Sequence, residues 1–288
     1  MQTEKIKKVI SESKNICIAS HMNPDGDNLG SICAVYNYLI NENKDVFLII
    51  DDFIPKNYHF LPNINRSVKS ESIDFIPDLF IALDCADIGR LGKNCRDLFL
   101  KSNCKLNIDH HKTNTNFGDF NIVDSSSPAT GEVLFNLFKD LDYKLNKDIA
   151  TCLYAAISSD TGSFKYDSVR PATFVAASHL LEYGIDKNEI AVNLYQKRSL
   201  EKTKLLINAV NTMELFDDDK IAVVYVDDEM IENCGAVKSD TEGIVEFIRD
   251  IDDVEVAIFM KIKKSSIKLS IRTKSHVDAT KIAEFYGG

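Results

Sequence analysis

Asp109, His110 and His111 stand consecutively at the end of an alternating apolar run, KLNIDHHKTN at 105–114, in which Leu106 and Ile108 are the positions suited to burial. Three ionisable side chains in a row cannot end a buried strand without partners, because an unpaired polar group is expensive to bury. Three other stretches end the same way. His21, Asp25 and Asp27 follow the apolar run NICIAS, Asp84 and Asp87 follow the apolar segment 77–83, and Asp160 follows IATCLYAAIS. Pro24-Asp25-Gly26 is by itself an ordinary turn signal. That accounts for the proline and the glycine, but not for His21, Asp25 and Asp27 meeting on one loop opposite a helix start. Imidazole mixed with carboxylate suits a borderline divalent ion such as Mn²⁺; all-oxygen sets suit Ca²⁺ or Mg²⁺, and thiolates suit structural Zn²⁺. The set His21, Asp25, Asp27, Asp84, Asp109, His110, His111 and Asp160 holds three of the six histidines and exceeds what one ion needs with positions open for substrate. Two ions about 3.5–4 Å apart is the arrangement that clamps attacking and leaving oxygens in phosphoryl transfer.

The elements that must position these residues follow from the apolar pattern. The spacing predicts short buried strands over 15–20, 44–51, 77–83 and 105–108, each followed by helix-like sequence. That is the pattern of a parallel sheet in an α/β layer fold, where ligands bind beyond the carboxyl ends of the strands. Asp25, Asp27, Asp84 and Asp109–His111 all fall at such ends. Helices are predicted over 3–13, 29–41, 129–141 (capped within 125–127, with Pro128 in its first turn), 147–158, 171–182 and 187–196. The 147–158 helix is apolar all round and therefore buried, so Asp160 at its end needs a partner, most economically a cation. A polar helix over 199–216 reads as a connector. Beyond it the pattern restarts with a strand over 221–226, a helix over 241–250, strands over 254–261 and 266–272, and a helix over 279–285.

Composition narrows the function classes. At 288 residues the chain has room for two domains, and 44% hydrophobic with 27% charged residues is a globular balance. A net charge of −10 argues against long duplex nucleic acid as a partner, although bound metal can invert the charge of one pocket. The seven cysteines form no CxxC pair and lie mostly in apolar segments, which suits a reducing cytoplasm. The N-terminal segment has no apolar core of signal-peptide length, and no run approaches the ~20 apolar residues of a membrane span. The absence of G-x-G-x-x-G after the first strand argues against a dinucleotide-cofactor oxidoreductase. Asp87, His59, His179 and His276 read as surface or local structure.

Four motifs in order, H-x-x-P-D-G-D-x-x-G-S at 21–31, D-C-A-D at 84–87, D-H-H-x-x-N at 109–114 and S-D-T-G-S-F at 159–164, resemble those of the DHH phosphoesterases. The resemblance covers nearly the whole chain. It points to the subfamily with a DHHA1 C-terminal domain and, by size and plan, to its oligoribonuclease/pAp-phosphatase (NrnA-like) branch. It implies a catalytic parallel-sheet α/β domain over 1–197, a connector helix over 198–216 and a smaller α/β substrate-binding domain over 217–288. It further implies two Mn²⁺ per chain, with Mg²⁺ or Co²⁺ as substitutes. One ion would be held by His21, Asp25 and Asp84, and the second by Asp27, Asp84, His110 and Asp160, with Asp84 bridging. Asp109 would orient the histidines, and His111 would face the phosphate as hydrogen-bond donor or general acid. Only one of His110 and His111 is expected to face the ions, since neighbouring strand residues point to opposite sides.

Asn28, Ser270 and Arg272 are the further substrate contacts the resemblance implies, Arg272 being suited to a bidentate phosphate contact. A glycine-rich loop ending in histidine follows the last helix in the family. Here the sequence reads Tyr286-Gly287-Gly288, so Gly287 and Gly288 are expected at the substrate and the loop is incomplete. The expected enzyme is cytoplasmic, with a dimer left open, and acts on very short RNA oligonucleotides or a nucleotide bisphosphate such as 3′-phosphoadenosine 5′-phosphate. The rival readings are a linear-dinucleotide phosphodiesterase, a pyrophosphatase or exopolyphosphatase, a RecJ-like DNA exonuclease, and a non-catalytic nucleotide-binding module.

Overall fold

Alternation within each apolar run decides which side of the sheet it feeds. In the computed structural model, which describes residues 2–285, the chain divides into two units, 1–197 and 198–288. The first contains α1 (Gln2–Glu12), β1 (Asn15–Ala19), α2 (Gly26–Asn41), β2 (Asp45–Leu48), β3 (Leu79–Leu83), α3 (Lys93–Lys101), β4 (Cys104–Asp109), β5 (Phe120–Val123), α4 (Thr130–Asp140), α5 (Lys147–Asp160), α6 (Pro171–Leu181) and α7 (Lys187–Ala191). A π-helical turn, Val192–Gln196, follows α7. The five strands form an all-parallel sheet in the order β2-β1-β3-β4-β5. Ile16, Ile18, Leu79, Ile81, Leu83, Leu106 and Ile108 pack into one core with residues of α2, α4 and α5. The intervening Cys17, Ala19, Phe80 and Ala82 pack into a second core with Cys95, Leu98 and Phe99 of α3. Strands covered on both faces read as continuous apolar runs, which is why these were legible.

The strand order reverses between β1 and β3, since the chain leaves β1 toward β2 and returns on its other side. A crevice opens outside the carboxyl ends at such a switch point. His21, Asp25 and Asp27 follow β1, and Asp84 follows β3 directly, so the topology itself brings these two stretches together.

The interior helix α5 lies against α2, α4 and α6. Small residues let these helices approach. A Cβ on Gly30 of α2 would sit 2.7 Å from the Cys152 carbonyl oxygen and 2.9 Å from the Ala156 Cβ, and one on Gly131 of α4 would sit 2.6 Å from that same Cβ.

The second unit contains α8 (Leu200–Val210), β6 (Glu214–Phe216), β7 (Ile221–Asp227), α9 (Asp228–Cys234), α10 (Ile244–Arg249), β8 (Val256–Lys263), β9 (Ser266–Thr273) and α11 (Ala279–Phe285). Its sheet runs β6-β7-β8-β9, with β7 and β8 parallel and both outer pairs antiparallel. Ala222, Val224, Val226, Ala257 and Phe259 face a core shared with Leu205, Ala209, Ile231, Ile244 and Ile248. Among the described residues no helix is long and apolar enough to cross a membrane.

Three local expectations differ from the structure. The helix expected over 199–216 ends at Val210, and 214–216 forms an edge strand. Leu205 and Ala209 are fully buried in the second unit's core, so α8 is part of that fold rather than a free-standing connector. The helix expected over 129–141 begins at Thr130, and its N-cap residue Ala129 makes no side-chain cap bond; the caps expected within 125–127 are replaced by a distant carboxylate, described below. Strand β5 and helices α3 and α9 lie in segments too short or too polar to stand out by periodicity.

Gly30→Ala is expected to lower the unfolding temperature of the first unit, because overpacking costs about 1–3 kcal/mol, more than the about 1 kcal/mol that alanine gains over glycine in a helix. A thermal melt equal to or above that of the parent chain would show that the α2–α5 approach is not limiting.

Candidate metal centre

Asp84 ends β3 in the left-handed backbone region, with φ of +53°, a conformation few residues other than glycine adopt but one that Asp tolerates. The turn throws its carboxylate, 2% exposed, across the sheet edge. Its two oxygens face different partners. Oδ2 lies 3.3 Å from His21 Nε2. Oδ1 accepts the Thr130 hydroxyl at 2.9 Å and lies 3.6 Å from His110 Nε2.

On the first side, His21 Nδ1 is 2.9 Å from the Met22 carbonyl. A carbonyl only accepts, so Nδ1 carries a proton and it is Nε2 that points inward. Asp25 caps α2 by accepting the Asn28 amide through Oδ1 at 3.0 Å, while its Oδ2 stands 3.7 Å from His21 Nε2. On the second side, His110 Nε2 lies 3.3 Å from Asp160 Oδ2 and 3.9 Å from Asp27 Oδ2. Asp27, fully buried, accepts the Thr130 and Gly131 amides at 2.6 and 2.9 Å and the Ser31 hydroxyl at 3.1 Å. It therefore caps α4 from α2, where the helix dipole favours a negative charge.

His21, Asp25 and Asp84 offer donor atoms close enough to hold one ion, and Asp27, His110 and Asp160 form a second such group. Asp84, His110 and His111 form a third. In that third group, however, His111 Nδ1 is committed to Asp109 Oδ1 at 2.7 Å, which leaves Nε2 as its free nitrogen. The rings of His110 and His111 lie side by side with centroids 4.5 Å apart, not on opposite sides. Strand alternation stops at Asp109, the last residue of β4.

Asp109, fully buried, is also bonded by the Asn114 amide at 2.6 Å, and Asn114 in turn bonds Asn107 and the Cys85 carbonyl. Asp109 thus bonds the ring of His111 directly, and the His110 backbone amide also bonds its carboxylate. His110 instead has its Nδ1 3.3 Å from the Ser127 carbonyl.

The electrostatics suit a cation. Burial, reinforced by the charges of Asp84, Asp160 and Asp25, pushes the Asp27 carboxyl well above the usual range. Burial and the neighbouring Asp84 raise Asp25 likewise, and burial with the charges of Asp84 and Asp25 pushes Asp160 up to about 8. Burial also penalises Asp84, but the hydrogen bond from His21 and the three nearby imidazoles outweigh it and hold its carboxyl low. A divalent ion would relieve the repulsion among the raised carboxylates, and the mixed imidazole–carboxylate donor set fits one.

Several contributing residues were not singled out as site residues from the sequence: Thr130 and Gly131, which align two carboxylates, Asn107, which accepts from Asn114, and Arg90, whose charge acts on both Asp25 and His111. Asn114, which holds Asp109, carried a signal only as the last residue of the D-H-H-x-x-N motif. Asn28, expected at the substrate, is 1% exposed, and its amide donates to the His21 carbonyl at 3.0 Å; it anchors the loop. Asp87 accepts the Gly89 amide as a local cap. In the second unit, Arg272 lies on the edge strand β9 with its Nε paired to Glu246 at 3.0 Å. Ser270 shares that face, opposite Phe259. Gly287 and Gly288 lie outside the described residues.

The whole is an α/β protein with candidate divalent-cation ligands gathered at the carboxyl edge of a parallel sheet. The family model "DHH family, N-terminal domain" matches residues 15–157. The chain is 30% identical over 275 residues to the bifunctional oligoribonuclease and PAP phosphatase NrnA of Thermus thermophilus, covering 95% of this chain and 80% of that one. It is 26% identical over 292 residues to the protein of the same name from Bacillus subtilis, covering 100% and 90%. Among solved structures, an exopolyphosphatase-related protein from Bacteroides fragilis superposes with a TM-score of 0.91 at 25% identity, covering 98% of this chain and 86% of that one. The chain belongs to the DHH family and is a metal-dependent phosphoesterase of NrnA-like type.

Two outcomes follow from the geometry. His111→Ala should lower kcat about 10²–10⁴-fold, the range for a lost general acid, with metal content retained, whereas His110→Ala should lose metal; metal analysis showing the reverse would exchange the two roles. The second concerns pH. Asp160, Asp27 and Asp25 are raised in the folded chain, so between their ordinary values and about 8, where Asp160 titrates, the metal-free fold binds more protons than the unfolded chain. Its stability therefore falls as pH rises through that window. His21 and His111, also raised, act in the same direction. The melting temperature of the metal-free chain should drop from pH 5 to pH 8, and Mn²⁺ should restore it most at pH 8. A flat or rising metal-free profile would contradict this.

Proposed function

We propose that the chain hydrolyses phosphate esters of very short RNA, and 3′-phosphoadenosine 5′-phosphate, with two Mn²⁺ ions held at the sheet edge in a cytoplasmic enzyme. The observation that carries this reading is Asp84, whose two carboxylate oxygens face separate ligand groups, the position a bridging ligand occupies. His21 and Asp25 would hold one ion, and Asp27, His110 and Asp160 the other. When bound, the ions would lower the pKa of a water and offset charge on the phosphoryl group.

The chain's own residues do the rest. Asp109 holds the His111 proton on Nδ1, so that Nε2, when protonated, can donate to a phosphate oxygen or to the leaving group. The Asp109 hydrogen bond, which outweighs burial, raises the His111 pKa and favours that form. Arg90, whose charge is felt by Asp25 and His111, adds a cation beside the ligand groups.

Substrate shortness is supported by where the cations are. In a chain of net charge −10, residues 256–274 carry Lys261, Lys263, Lys264, Lys268, Arg272 and Lys274 and no acidic residue. This is a local cationic stretch in an otherwise acidic protein, suited to a few phosphates rather than to a long polyanion. The names of the relatives favour the same substrates. The fold likeness to an exopolyphosphatase-related protein keeps inorganic phosphoanhydrides in the test set.

A panel of 3′-phosphoadenosine 5′-phosphate, dinucleotide, pentanucleotide and pyrophosphate, with and without Mn²⁺, tests the assignment; turnover of pyrophosphate alone would overturn it. The rate should fall steeply beyond roughly five nucleotides, as phosphates outside the cationic stretch meet a negative surface. Equal kcat/KM for 2-mer and 20-mer RNA would reinstate a processive exonuclease. Arg272→Ala should raise KM more than it lowers kcat, as for a uniform binding contact.

A further inference from the structure

Glu132 and Arg170 belong to none of the ligand groups, yet their side chains meet beside one of them. Glu132, fully buried in the first turn of α4, accepts from Arg170 Nη2 at 2.5 Å. Arg170 is the residue before α6. The pair is not fully satisfied: Glu132 Oε2 and Arg170 Nε have no partner among the described residues. A buried ion pair is weak support for stability, since an apolar pair of similar volume often does as well. Stability alone therefore does not account for it.

What the pair grips is the turn before α4. Arg170 Nη1 donates to the Ser126 hydroxyl at 2.8 Å and Nη2 to the Ser127 hydroxyl at 3.2 Å. From the other side Asp124 accepts both hydroxyls, each at 2.6 Å, together with the Ser126 amide at 3.0 Å. Ser126 and Ser127 are thus pinned between a guanidinium and a carboxylate. The consequence is the direction of one carbonyl. Ser127, 3% exposed, aims its C=O at His110 Nδ1, 3.3 Å away. Because the carbonyl can only accept, it selects the tautomer with the proton on Nδ1 and leaves the Nε2 lone pair facing Asp160 and Asp84.

We propose that Arg170 and Glu132 are positioning residues for His110, acting through the Ser126–Ser127 turn to fix the imidazole's tautomer and aim. The role rests on the two-ion reading above. Partners of this kind typically change metal affinity 10–100-fold when removed.

The test uses the full chain. Arg170→Met/Glu132→Leu removes both charges without stranding either, and Ser126→Ala/Ser127→Ala keeps the ion pair but removes its grip. In the metal-free proteins, long-range ¹⁵N–¹H spectra of the histidine rings read the His110 tautomer, and calorimetric titration with Mn²⁺ reads each site's affinity. We expect both variants to keep the parent's circular dichroism while His110 shifts from a single Nδ1–H tautomer to a mixture. Affinity at one site should fall about 10–100-fold with the other unchanged, and kcat should fall with little change in KM. Parent-like tautomer and affinity in a folded variant would overturn the role. If the charge variant does not fold, the serine variant decides by the same criteria. Failure of the parent chain to bind Mn²⁺ would instead sink the two-ion reading, and the metal-free tautomer spectra would still judge the positioning.

Discussion

One buried carboxylate organises the first unit. Asp84 is 2% exposed, and an isolated charge in such a place is expelled or neutralised unless it is compensated. Here compensation comes from His21 on one side, His110 and His111 on the other, and the Thr130 hydroxyl. The left-handed turn at the end of β3 makes this reach possible, and strained backbone of this sort persists where its surroundings over-determine it. The same few ångströms also hold Asp25, Asp27 and Asp160, all with raised carboxyl pKa values. The protein alone leaves that repulsion unresolved, which is the electrostatic signature of a cation site.

Packing serves this arrangement. Close approach of α2 and α4 to α5, allowed by Gly30 and Gly131, brings Asp27 to the N-terminus of α4 and Asp160 alongside His110. Thr130 joins two of these carboxylates, its amide going to Asp27 and its hydroxyl to Asp84. The helix that would otherwise present unsatisfied amides to a buried crevice instead aligns a candidate metal ligand. Cap and ligand are the same residue.

The parallel sheet and the edge that gathers the candidate ligands were legible because strands buried on both faces are unbroken apolar runs and because Asp84, Asp109 and His21 fall at or just past their ends. The less legible parts depend on contacts distant in sequence. Nothing near 129–141 reveals that its cap is Asp27, about a hundred residues earlier (103 to Thr130). The side-by-side rings of His110 and His111 could not be read from alternation, because β4 ends at Asp109 and the next residues answer to Ser127 and Asp109 instead. Asn28 is a related case. Its place in the loop motif suggested substrate, and the structure adds a bond from its side-chain amide to the His21 carbonyl that braces the loop. Helix α8 looked polar enough to be a tether because only Leu205 and Ala209 carry its fully buried face.

The central claim, that Asp84 bridges two ions, is tested most directly by anomalous diffraction at the manganese edge from crystals grown with Mn²⁺. The account predicts two peaks about 3.5–4 Å apart, one beside His21 and Asp25 and the other beside Asp27, His110 and Asp160, with the Asp84 carboxylate between them. A single peak, or two peaks that Asp84 does not join, would contradict it.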